Sequence, residues 1–558
     1  MVGISRSSVY YQPRPISAGD LGLMRRIDEL HLGDLAFTYG AGGRLSAVQE
    51  EESSRSFSYN SLGQLTAETR TLGTVTATIG YGYNASTGEL ASMTYPSGRM
   101  VSFAHNAAGQ ITGIQVDGVP LASSIEYLPF GPVKRATLGT LSLGRSYDRR
   151  YQVSRIQAGP LDYTYTRDKA GQVLAVTNLP SPTTAAITET AAIEGDSNRI
   201  TGLTGATAKS YSYDATGNII IDGTLAYTWD ALNRLVKVEQ AGAVVATYGY
   251  DSQNRRIRKS VGDRTIHYHY DMNNLLIAET LADGTPLRDY FYLGGEPLAL
   301  REYKTNPGTY YFLNDHLGTP QQLVKPDGTV VWKAAYLPYG EAQIQHGTVT
   351  NNLRFPGQYF DSETGLHYNW HRFYDPSTGG YISADPIGLR GGMNLYTYVG
   401  GNPVNWFDPN ALTKIDVDTA GGIMTVDPEK SGEPPYKMPI TSGRGECTNE
   451  PKCSDQENAG PIPLGNYTAN IDDISDPSLI GDIARNARGD WGDWRVPVKP
   501  SPGIDTKGRG GFFLHGGRIS GSAGCIDFGG GRFGDPSTDK LKKDILNDPD
   551  GIVPITVH

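Results

Sequence analysis

The sequence predicts a mainly β protein, because of its composition and because one short motif recurs between residues 37 and 260. The 558 residues include 69 glycines and 34 tyrosines, whereas only 38% of the residues are hydrophobic. Glycine supplies the positive φ angles of tight turns, and tyrosine packs well on half-buried strands. A chain of this length is expected to divide into several domains.

The recurring motif predicts a series of β-hairpins. In each copy an aromatic residue and an Asn or Asp lead into a turn with Gly or Asn, and alternating apolar residues follow. This pattern is typical of a strand, a tight turn and a return strand. The copies are FTYGAGGRLSAV (37–48), FSYNSLGQLTAE (57–68), YGYNASTGELASMTY (81–95), FAHNAAGQITGI (103–114), YTRDKAGQVLAV (165–176), YSYDATGNII (211–220), YTWDALNRLVKVEQ (227–240) and YGYDSQNRRIRKS (248–260).

Two longer stretches carry a family resemblance. YYFLNDHLGTPQQLVKPDGTVVWKAAYLPYGE (310–341) and RFPGQYFDSETGLHYNWHRFYDPSTGGYISADPIGLRGGMNLYTYVGGNPVNWFDPNAL (354–412) are similar to the end of the core of YD-repeat, or Rhs, proteins. The resemblance implies a hairpin shell over residues 35–353, a plug over 354–412 and a C-terminal cargo, a toxin in such chains, over 413–558.

Residues 1–34 depart from the hairpin motif. Apolar residues at roughly helical spacing predict a helix there, namely Leu21, Met24, Ile27, Leu30 and Leu32. The stretch is similar to a piece of an insertion-sequence transposase, and we interpret it as a fusion remnant without function. Full Rhs proteins are much longer, so we expect a truncated orphan whose shell is incomplete.

The plug contains two Asp-Pro motifs, DPIGL (385–389) and PVNWFDPNAL (403–412), which resemble the self-cleavage signature of the Rhs family. The resemblance implies that Asp385 and Asp408 cleave the bond Leu412–Thr413, and that Arg372 holds a carboxylate. Two carboxylates suit peptide hydrolysis because like charges held close cannot both ionise, so one is an acid and the other activates water. Ala411 stands where the family has Gly, and we expect it to slow cleavage.

In the C-terminal domain, His515 and Cys525 lie ten positions apart in FFLHGGRISGSAGCIDFGGG (512–531). GFFLHGG predicts a buried strand that carries His515 at its end, and a tight turn then brings Cys525 onto the next strand. Hairpin geometry can place two such residues in contact. An adjacent imidazole can generate a thiolate from a neutral thiol, which predicts nucleophilic catalysis.

HGG followed by SAGCI is similar to the signature of L,D-transpeptidases, which have a YkuD-like, β-rich domain. The resemblance implies that Cys525 is the nucleophile and His515 the base. It also implies that the N–H groups of Gly524 and Cys525 form an oxyanion hole and that Ser522 shapes the turn. GPIPLGNYTANI (460–471) matches a Pro-x-Gly-x-Tyr strand of that fold, and SGRGECTN (442–449) resembles secreted interbacterial effectors that carry this domain.

This chain departs from the transpeptidase pattern at two positions. Ala523 replaces a second histidine, and Asp527 replaces a polar or basic residue. Neither is nucleophile or base, so acyl transfer can survive both changes. The carboxylate of a substrate must then be recognised elsewhere, and the substrate-binding candidates are Gly516, Arg518 and Arg444.

The remaining cysteines, Cys447 and Cys453, form either a disulfide or a pair of thiols, and two thiols are too few for a zinc site. We expect no metal and no cofactor. The net charge of −10 gives no footprint for nucleic acid. No segment approaches the ~20 apolar residues of a membrane span, and the N-terminus lacks the apolar core of a signal peptide.

The sequence therefore predicts an Rhs-type toxin that is made in the cytoplasm, secreted, and active in the periplasm of a target cell. The resemblance implies that the toxin domain acts on peptidoglycan stem peptides, by carboxypeptidase action, exchange or cross-linking. It also implies an immunity protein and a secretion-system adaptor or spike as partners. The alternative is a structural or binding remnant of an Rhs shell with an inactive or undelivered cargo.

Overall fold

The computed structural model describes most residues between 35 and 557. The gaps are 41–42, 130–131, 150, 170, 183–188, 196, 206–207, 387–393, 406, 409–413, 420–422, 428–435, 457–458, 464, 471–494, 501–508, 510–511, 518–524, 531–540, 543–544 and 546–551. The helix predicted within residues 1–34 lies outside the described residues. The prediction of a mainly β protein is confirmed. Within the described part of the chain, no helix has the length and apolar character needed to span a bilayer.

Two sheets of 14 strands each form the repeat region, and in both sheets the strands follow one another in chain order. The first sheet contains β1 (Ala36–Tyr39), β2 (Leu45–Gln49), β3 (Ser53–Tyr59), β4 (Leu65–Leu72), β5 (Val75–Tyr83), β6 (Leu90–Thr94), β7 (Met100–His105), β8 (Ile111–Val116), β9 (Val119–Tyr127), β10 (Val133–Leu138), β11 (Leu141–Tyr147), β12 (Val153–Ala158), β13 (Leu161–Arg167) and β14 (Val173–Val176). A sheet of three strands follows, with β15 (Glu189–Ile193), β16 (Ile200–Gly205) and β17 (Lys209–Ser210).

The second large sheet begins directly after this small one and continues to residue 347. It contains β18 (Ser212–Tyr213), β19 (Ile219–Ile221), β20 (Leu225–Trp229), β21 (Leu235–Gln240), β22 (Ala243–Tyr250), β23 (Arg256–Val261), β24 (Arg264–Tyr270), β25 (Leu276–Leu281), β26 (Pro286–Leu293), β27 (Glu296–Glu302), β28 (Gly308–Asn314), β29 (Pro320–Val324), β30 (Val330–Tyr336) and β31 (Ala342–Gly347).

The Asn or Asp of the motif closes the hairpin turn. In the copy at 57–68, the side-chain oxygen of Asn60 accepts hydrogen bonds from the backbone N–H groups two and four residues further on, both at 3.0 Å. Gly63 completes this turn at φ +85°. In the copy at 248–260, Asp251 replaces Asn60 and Asn254 takes the left-handed position at φ +59°. The motif is therefore a turn signal with a side-chain acceptor at its first position.

The tyrosine of the motif joins neighbouring strands through its hydroxyl group. It ends one strand, and its hydroxyl donates at 2.6–3.0 Å to the backbone carbonyl of the first residue of an earlier strand, which is the preceding strand in every case except Tyr213, whose acceptor is Ile200 of β16. Each bond satisfies a backbone acceptor beside the turns, and together they link successive hairpins along one edge of the repeat. The tyrosines that do this are Tyr59, Tyr83, Tyr127, Tyr147, Tyr213, Tyr250, Tyr270, Tyr292 and Tyr336.

The strands β28 and β29 of the second large sheet are buried on both faces. On β28, Tyr311 and Leu313 pack in an apolar cluster with residues of the first sheet. Tyr310 and Phe312 point to the other face, because side chains alternate along a strand, and they pack in a cluster with residues from 353–382. The second sheet is thus a middle layer between the first sheet and the plug.

The plug contains a sheet of four short strands. These are β32 (Tyr359–Phe360), β33 (His367–Asn369), β34 (Arg372–Asp375) and β35 (Gly380–Tyr381), and a single 3-10 turn follows at Val399–Gly401. The next segment contacts both large sheets. The side-chain oxygen of Asn405 accepts from the backbone N–H of Val173 at 2.6 Å, and His316 Nε2 lies 3.0 Å from the carbonyl of Val404.

A buried cluster of charges joins the plug to the second sheet. Asp361 of the plug binds the guanidinium of Arg256 and, at 2.8 Å, Lys259 Nζ. Burial alone would favour the neutral acid, but the two cations hold the pKa of Asp361 below its ordinary value. Five aromatic rings surround the Arg256 guanidinium at 4.3–5.8 Å, namely Tyr248, Tyr268, Tyr359, Tyr368 and Phe373.

The C-terminal part forms a mixed sheet of eight strands with its own apolar core. The order across the sheet is β38, β37, β36, β43, β39, β40, β41, β42. The strands are β36 (Lys414–Asp418), β37 (Ile423–Asp427), β38 (Tyr436–Pro439), β39 (Gly465–Asn470), β40 (Arg495–Pro500), β41 (Phe512–Gly517), β42 (Ile526–Gly530) and β43 (Ile552–Val557), with 3-10 turns at Gly445–Cys447 and Pro451–Cys453.

Replacing Asp361 by Asn is expected to detach the plug, because the Arg256 guanidinium then stays buried without its carboxylate. We expect the free energy of unfolding to fall by about 3–5 kcal/mol, measured as a lower denaturant midpoint of the full chain. Arg135→Ala is the control, because it removes an ion pair with Glu126 whose side chains are both exposed, and it should leave the midpoint unchanged. Equal midpoints for Asp361→Asn and wild type would contradict this role of the cluster.

Candidate functional site

His515 lies on β41, and Cys525 lies just before the neighbouring parallel strand β42. β41 and β42 pair in parallel, with Leu514 opposite Ile526 and His515 opposite Asp527. The hairpin predicted for these strands is therefore wrong, and His515 lies inside β41 rather than at its end. Alternating buried residues look the same in a parallel and an antiparallel pair, so the sequence pattern cannot give the direction of pairing.

The register places His515 on the sheet face that points away from the apolar core. Leu514 and Ile526 pack in that core, so their neighbours His515 and Asp527 lie on the other face. Cys525 immediately precedes β42, two positions before Asp527. His515 is 1% exposed and Cys525, a thiol outside the disulfide, is 3% exposed. Both residues are thus covered by protein, His515 on β41 and Cys525 just before the neighbouring strand β42.

A distant serine holds the backbone at Cys525. The hydroxyl of Ser442 donates to the carbonyl of Cys525 at 2.6 Å and accepts from the backbone N–H of Ile462 at 2.9 Å. Next to it, Thr441 and Asp527 exchange two backbone hydrogen bonds, at 2.8 and 2.9 Å. The Ser442 side chain is fully buried. Residues 441–442 therefore extend the sheet beside β42 and anchor the position of the thiol.

Sequence reasoning missed Ser442 as a site residue. It is 83 positions from Cys525, and no local pattern shows which serine will reach a distant carbonyl. The available signal was the resemblance of SGRGECTN, which starts at this serine, to effectors with the same domain.

The segment that carries Ser442 is closed by a disulfide. Cys447 and Cys453 are bonded, with 5.6 Å between their Cα atoms, which decides between the two states left open by the sequence. Inside this loop, Asn449 accepts from the backbone N–H of Ser442 at 2.8 Å and donates its own N–H to the Ser442 carbonyl at 2.6 Å. The disulfide loop thus supports the segment that contacts Cys525.

The other residues predicted for this site are only partly described. Gly516 follows His515 within β41. Arg444 is exposed, and its backbone N–H donates to the carbonyl of Ala459 at 2.7 Å. The remaining three lie outside the described residues, namely Arg518, Ser522 and Gly524.

In the plug, the structure brings together the three residues predicted for self-cleavage. Arg372 Nη1 lies 2.9 Å from Asp385 Oδ2, and Arg372 Nη2 lies 4.0 Å from Asp408 Oδ2. One guanidinium therefore lies between two carboxylates that are 23 positions apart in the sequence. The predicted scissile bond Leu412–Thr413 and the residue Ala411 lie outside the described residues.

Two further polar residues of the plug contact this group. The ring of Tyr381 lies under the Arg372 guanidinium at 3.7 Å, and its hydroxyl donates to Asp408 Oδ2 at 3.4 Å. Asn369 donates to the hydroxyl oxygen of Tyr381 at 2.9 Å and to the backbone carbonyl of Asp408 at 3.1 Å. Both residues belong to the quoted plug motif, but nothing in their spacing indicates that they meet Asp408.

Comparison with known families identifies the larger part of the molecule. A family model described as Teneurin YD-shell matches residues 17–118 and 133–404, which is more than half of the chain. The chain belongs to the YD-shell family. A second model, described as Tlde1 domain, matches residues 437–543. This match covers β39 to β42 and therefore includes His515, Cys525 and Ser442.

Two curated relatives of this YD-shell protein are much longer chains. The "Probable deoxyribonuclease RhsA" of Dickeya dadantii is 29% identical over 364 residues, which cover 59% of this chain and 25% of the relative. The "Toxin protein Tse5" of Pseudomonas aeruginosa is 32% identical over 261 residues, which cover 38% of this chain and 19% of the relative. The YD-shell chain thus spans a quarter or less of the length of these two relatives.

Solved structures confirm the fold of the shell. The crystal structure of TcdB2-TccC3-Cdc42 superposes with a TM-score of 0.53 at 17% identity, over 68% of this chain and 25% of that chain. The Tc holotoxin pore of Photorhabdus luminescens also gives a TM-score of 0.53, at 16% identity, over 68% of this chain and 24% of that chain. At these identities the likeness concerns the fold alone.

Replacing Ser442 by Ala should loosen the backbone at Cys525, because it removes one hydrogen bond and leaves the buried N–H of Ile462 without a partner. Losing such a buried contact costs about 1–3 kcal/mol, so local opening should increase about five-fold or more. Iodoacetamide labelling without reductant measures this opening, because Cys447 and Cys453 are then blocked by their disulfide.

Ser442→Thr is the matched control, because it keeps the hydroxyl group. We expect it to label at nearly the wild-type rate, whereas Ser442→Ala labels faster. Identical labelling of Ser442→Ala and wild type would mean that this hydrogen bond does not hold the thiol segment.

Proposed function

We propose that the protein is an Rhs-type interbacterial toxin whose C-terminal domain modifies peptidoglycan stem peptides. The observation that carries the proposal is the pairing of His515 and Asp527 across two parallel strands, with Cys525 just before the second, in a domain attached to a YD shell. The Tlde1 match supports it, because Tlde1 domains form a family of effectors that target peptidoglycan. The name of the relative Tse5 also describes a toxin.

The chemistry follows from an imidazole on β41 and a thiol just before the neighbouring strand β42. His515 takes the proton of Cys525, and the thiolate attacks the carbonyl carbon of the diaminopimelate residue that precedes the terminal D-alanine. The C–N bond breaks, the imidazolium gives its proton to the leaving amine, and D-alanine departs from a thioester. Water then gives a carboxylic acid and restores the thiol, whereas an amine acceptor gives a new amide.

The burial of Cys525 sets a requirement for this reaction. A stem peptide must reach a thiol that is 3% exposed, so the protein around Cys525 has to open before the thiolate can attack. Ser442 and the disulfide loop lie on one side of the thiol and hold its backbone. The alternative function, a structural remnant with an inactive cargo, is favoured by the same burial, because an enclosed thiol is normally inert.

We further propose that the plug releases the C-terminal domain by self-cleavage. The position of Arg372 between Asp385 and Asp408 supports it, because one guanidinium gathers both carboxylates into one group, where one of them can activate water. Water would add to the carbonyl carbon of Leu412, the Leu412–Thr413 bond would break, and a proton would pass to the nitrogen of Thr413. Ala411, in place of the family glycine, is expected to make this reaction slow.

The proposed toxin implies partners and a destination. The producing cell would need an immunity protein against the C-terminal domain, and delivery would need a secretion-system adaptor or spike. Its substrate would lie in the periplasm of the target cell.

Peptidoglycan activity is tested with the fragment 413–558, which has its own sheet and core. Incubation with purified tetrapeptide muropeptides should release D-alanine, and Cys525→Ala should lower the rate about a thousand-fold or more, measured by chromatography and mass spectrometry. A variant with both Cys447→Ala and Cys453→Ala keeps the Cys525 thiol and should remain active. Unchanged stem peptides after incubation with the wild type would refute the enzyme.

Self-cleavage is tested by expressing the full chain and sequencing its fragments. We expect a fragment that begins at Thr413, and we expect Asp408→Asn to abolish it. Asp327→Asn is the control, because this aspartate is in an exposed turn of the second sheet and should not affect cleavage. A wild-type chain that stays intact would rule out self-cleavage.

A further inference from the structure

Tyr381 makes two separate contacts in the plug, one through its ring and one through its hydroxyl group. The ring lies 3.7 Å from the Arg372 guanidinium, which is a cation–π contact. The hydroxyl donates to Asp408 Oδ2 at 3.4 Å. This is long for a hydroxyl–carboxylate hydrogen bond, as catalytic hydrogen bonds often are before the reacting groups close.

Asn369 connects the tyrosine to the backbone of the same aspartate. Its Nδ2 donates to the Tyr381 oxygen at 2.9 Å and to the Asp408 carbonyl at 3.1 Å. Because Asn369 supplies the donor, the phenolic proton is directed to another acceptor, and Asp408 Oδ2 is in place to take it. Asn369 is fully buried on β33, next to β34 that carries Arg372, so the rigid sheet supports the arrangement.

We propose that Tyr381 and Asn369 are positioning residues for the self-cleavage reaction, and that they act together to hold the side chain and the backbone of Asp408. The inference rests on the proposed self-cleavage and adds two residues to it. Arg372 and Asp385 form a close ion pair at 2.9 Å, whereas Arg372 is 4.0 Å from Asp408. The Tyr381 hydroxyl, at 3.4 Å, thus lies closer to Asp408 Oδ2 than the guanidinium does.

The Tyr381 hydroxyl should also affect the ionisation of Asp408. A hydroxyl that donates to a carboxylate favours its charged form, so loss of the hydroxyl means that Asp408 ionises at higher pH. The charged and titratable groups that face it are the guanidinium of Arg372, the carboxylate of Asp385 and the phenols of Tyr381 and Tyr398, of which Tyr398 accepts from the Asp408 N–H at 3.4 Å.

The first test compares two phenylalanine variants of the full chain. Tyr381→Phe keeps the ring under Arg372 but removes the hydroxyl from Asp408. Tyr374→Phe is the matched control, because Tyr374 packs in the same aromatic cluster but donates to the carbonyl of Tyr339 at 2.7 Å. We expect Tyr381→Phe to cleave about ten-fold or more slowly and Tyr374→Phe to cleave at the wild-type rate.

The pH profile separates a positioning role from a purely structural one. For Tyr381→Phe, the limb that reports Asp408 should move to higher pH by about half a unit or more, whereas a structural defect lowers the rate without moving the limb. Asn369→Ala, which keeps the phenol, is the second variant and should also slow cleavage. Because the two residues act together, the double variant should lose less than the product of the two single effects.

Two results would overturn the inference. One is that the unsubstituted chain cleaves and that Tyr381→Phe and Asn369→Ala cleave with the same rate and pH profile. This result would leave self-cleavage intact and remove the role of the two residues. The other is a wild-type chain that never cleaves, which removes the reaction itself. If Tyr381→Phe does not fold, Asn369→Ala alone decides between these outcomes.

Discussion

The ion cluster of Arg256, Lys259 and Asp361 is the contact on which the arrangement of the plug depends. Moving a guanidinium into a protein interior is unfavourable unless a carboxylate and further contacts replace its water. Here Asp361 supplies the charge, and the five surrounding rings supply the faces that a cation prefers. Two of those rings, Tyr368 and Phe373, belong to the strands β33 and β34. The same two strands carry Asn369 and Arg372, so the cluster that docks the plug also places the self-cleavage residues.

The repeat region reaches its size by using one unit many times. In each unit the Asn or Asp side chain accepts hydrogen bonds from backbone N–H groups of the turn, and the tyrosine hydroxyl donates to a backbone carbonyl of the neighbouring unit. This makes every hairpin dependent on its neighbours, as in other repeat proteins. Where the second sheet is buried on both faces, residues of the first sheet cover one face and residues of the plug cover the other.

The two candidate sites were predictable to different degrees. The plug motif placed Arg372, Asp385 and Asp408 in one group, and the structure brings them together around a single guanidinium. In the C-terminal domain, local order indicated His515 and Cys525 but gave the wrong direction for their strands. Ser442 and Tyr381 contact residues that are far away in the sequence, and no local pattern marks them. A hydroxyl group that reaches a distant carbonyl or carboxylate looks like any other hydroxyl group in the sequence.

The sequence by itself determined the mainly β fold and the hairpin units of the repeat, and it supplied the residues proposed for both candidate sites. These features depend on local rules, namely side-chain alternation, turn-forming residues and long motifs. Only the tertiary structure decided the parallel pairing of β41 and β42, the disulfide of Cys447 and Cys453, and the contacts of Ser442 and Tyr381. The physical reason is that these contacts join segments far apart in the chain, and their geometry is set by how whole sheets and loops pack against one another.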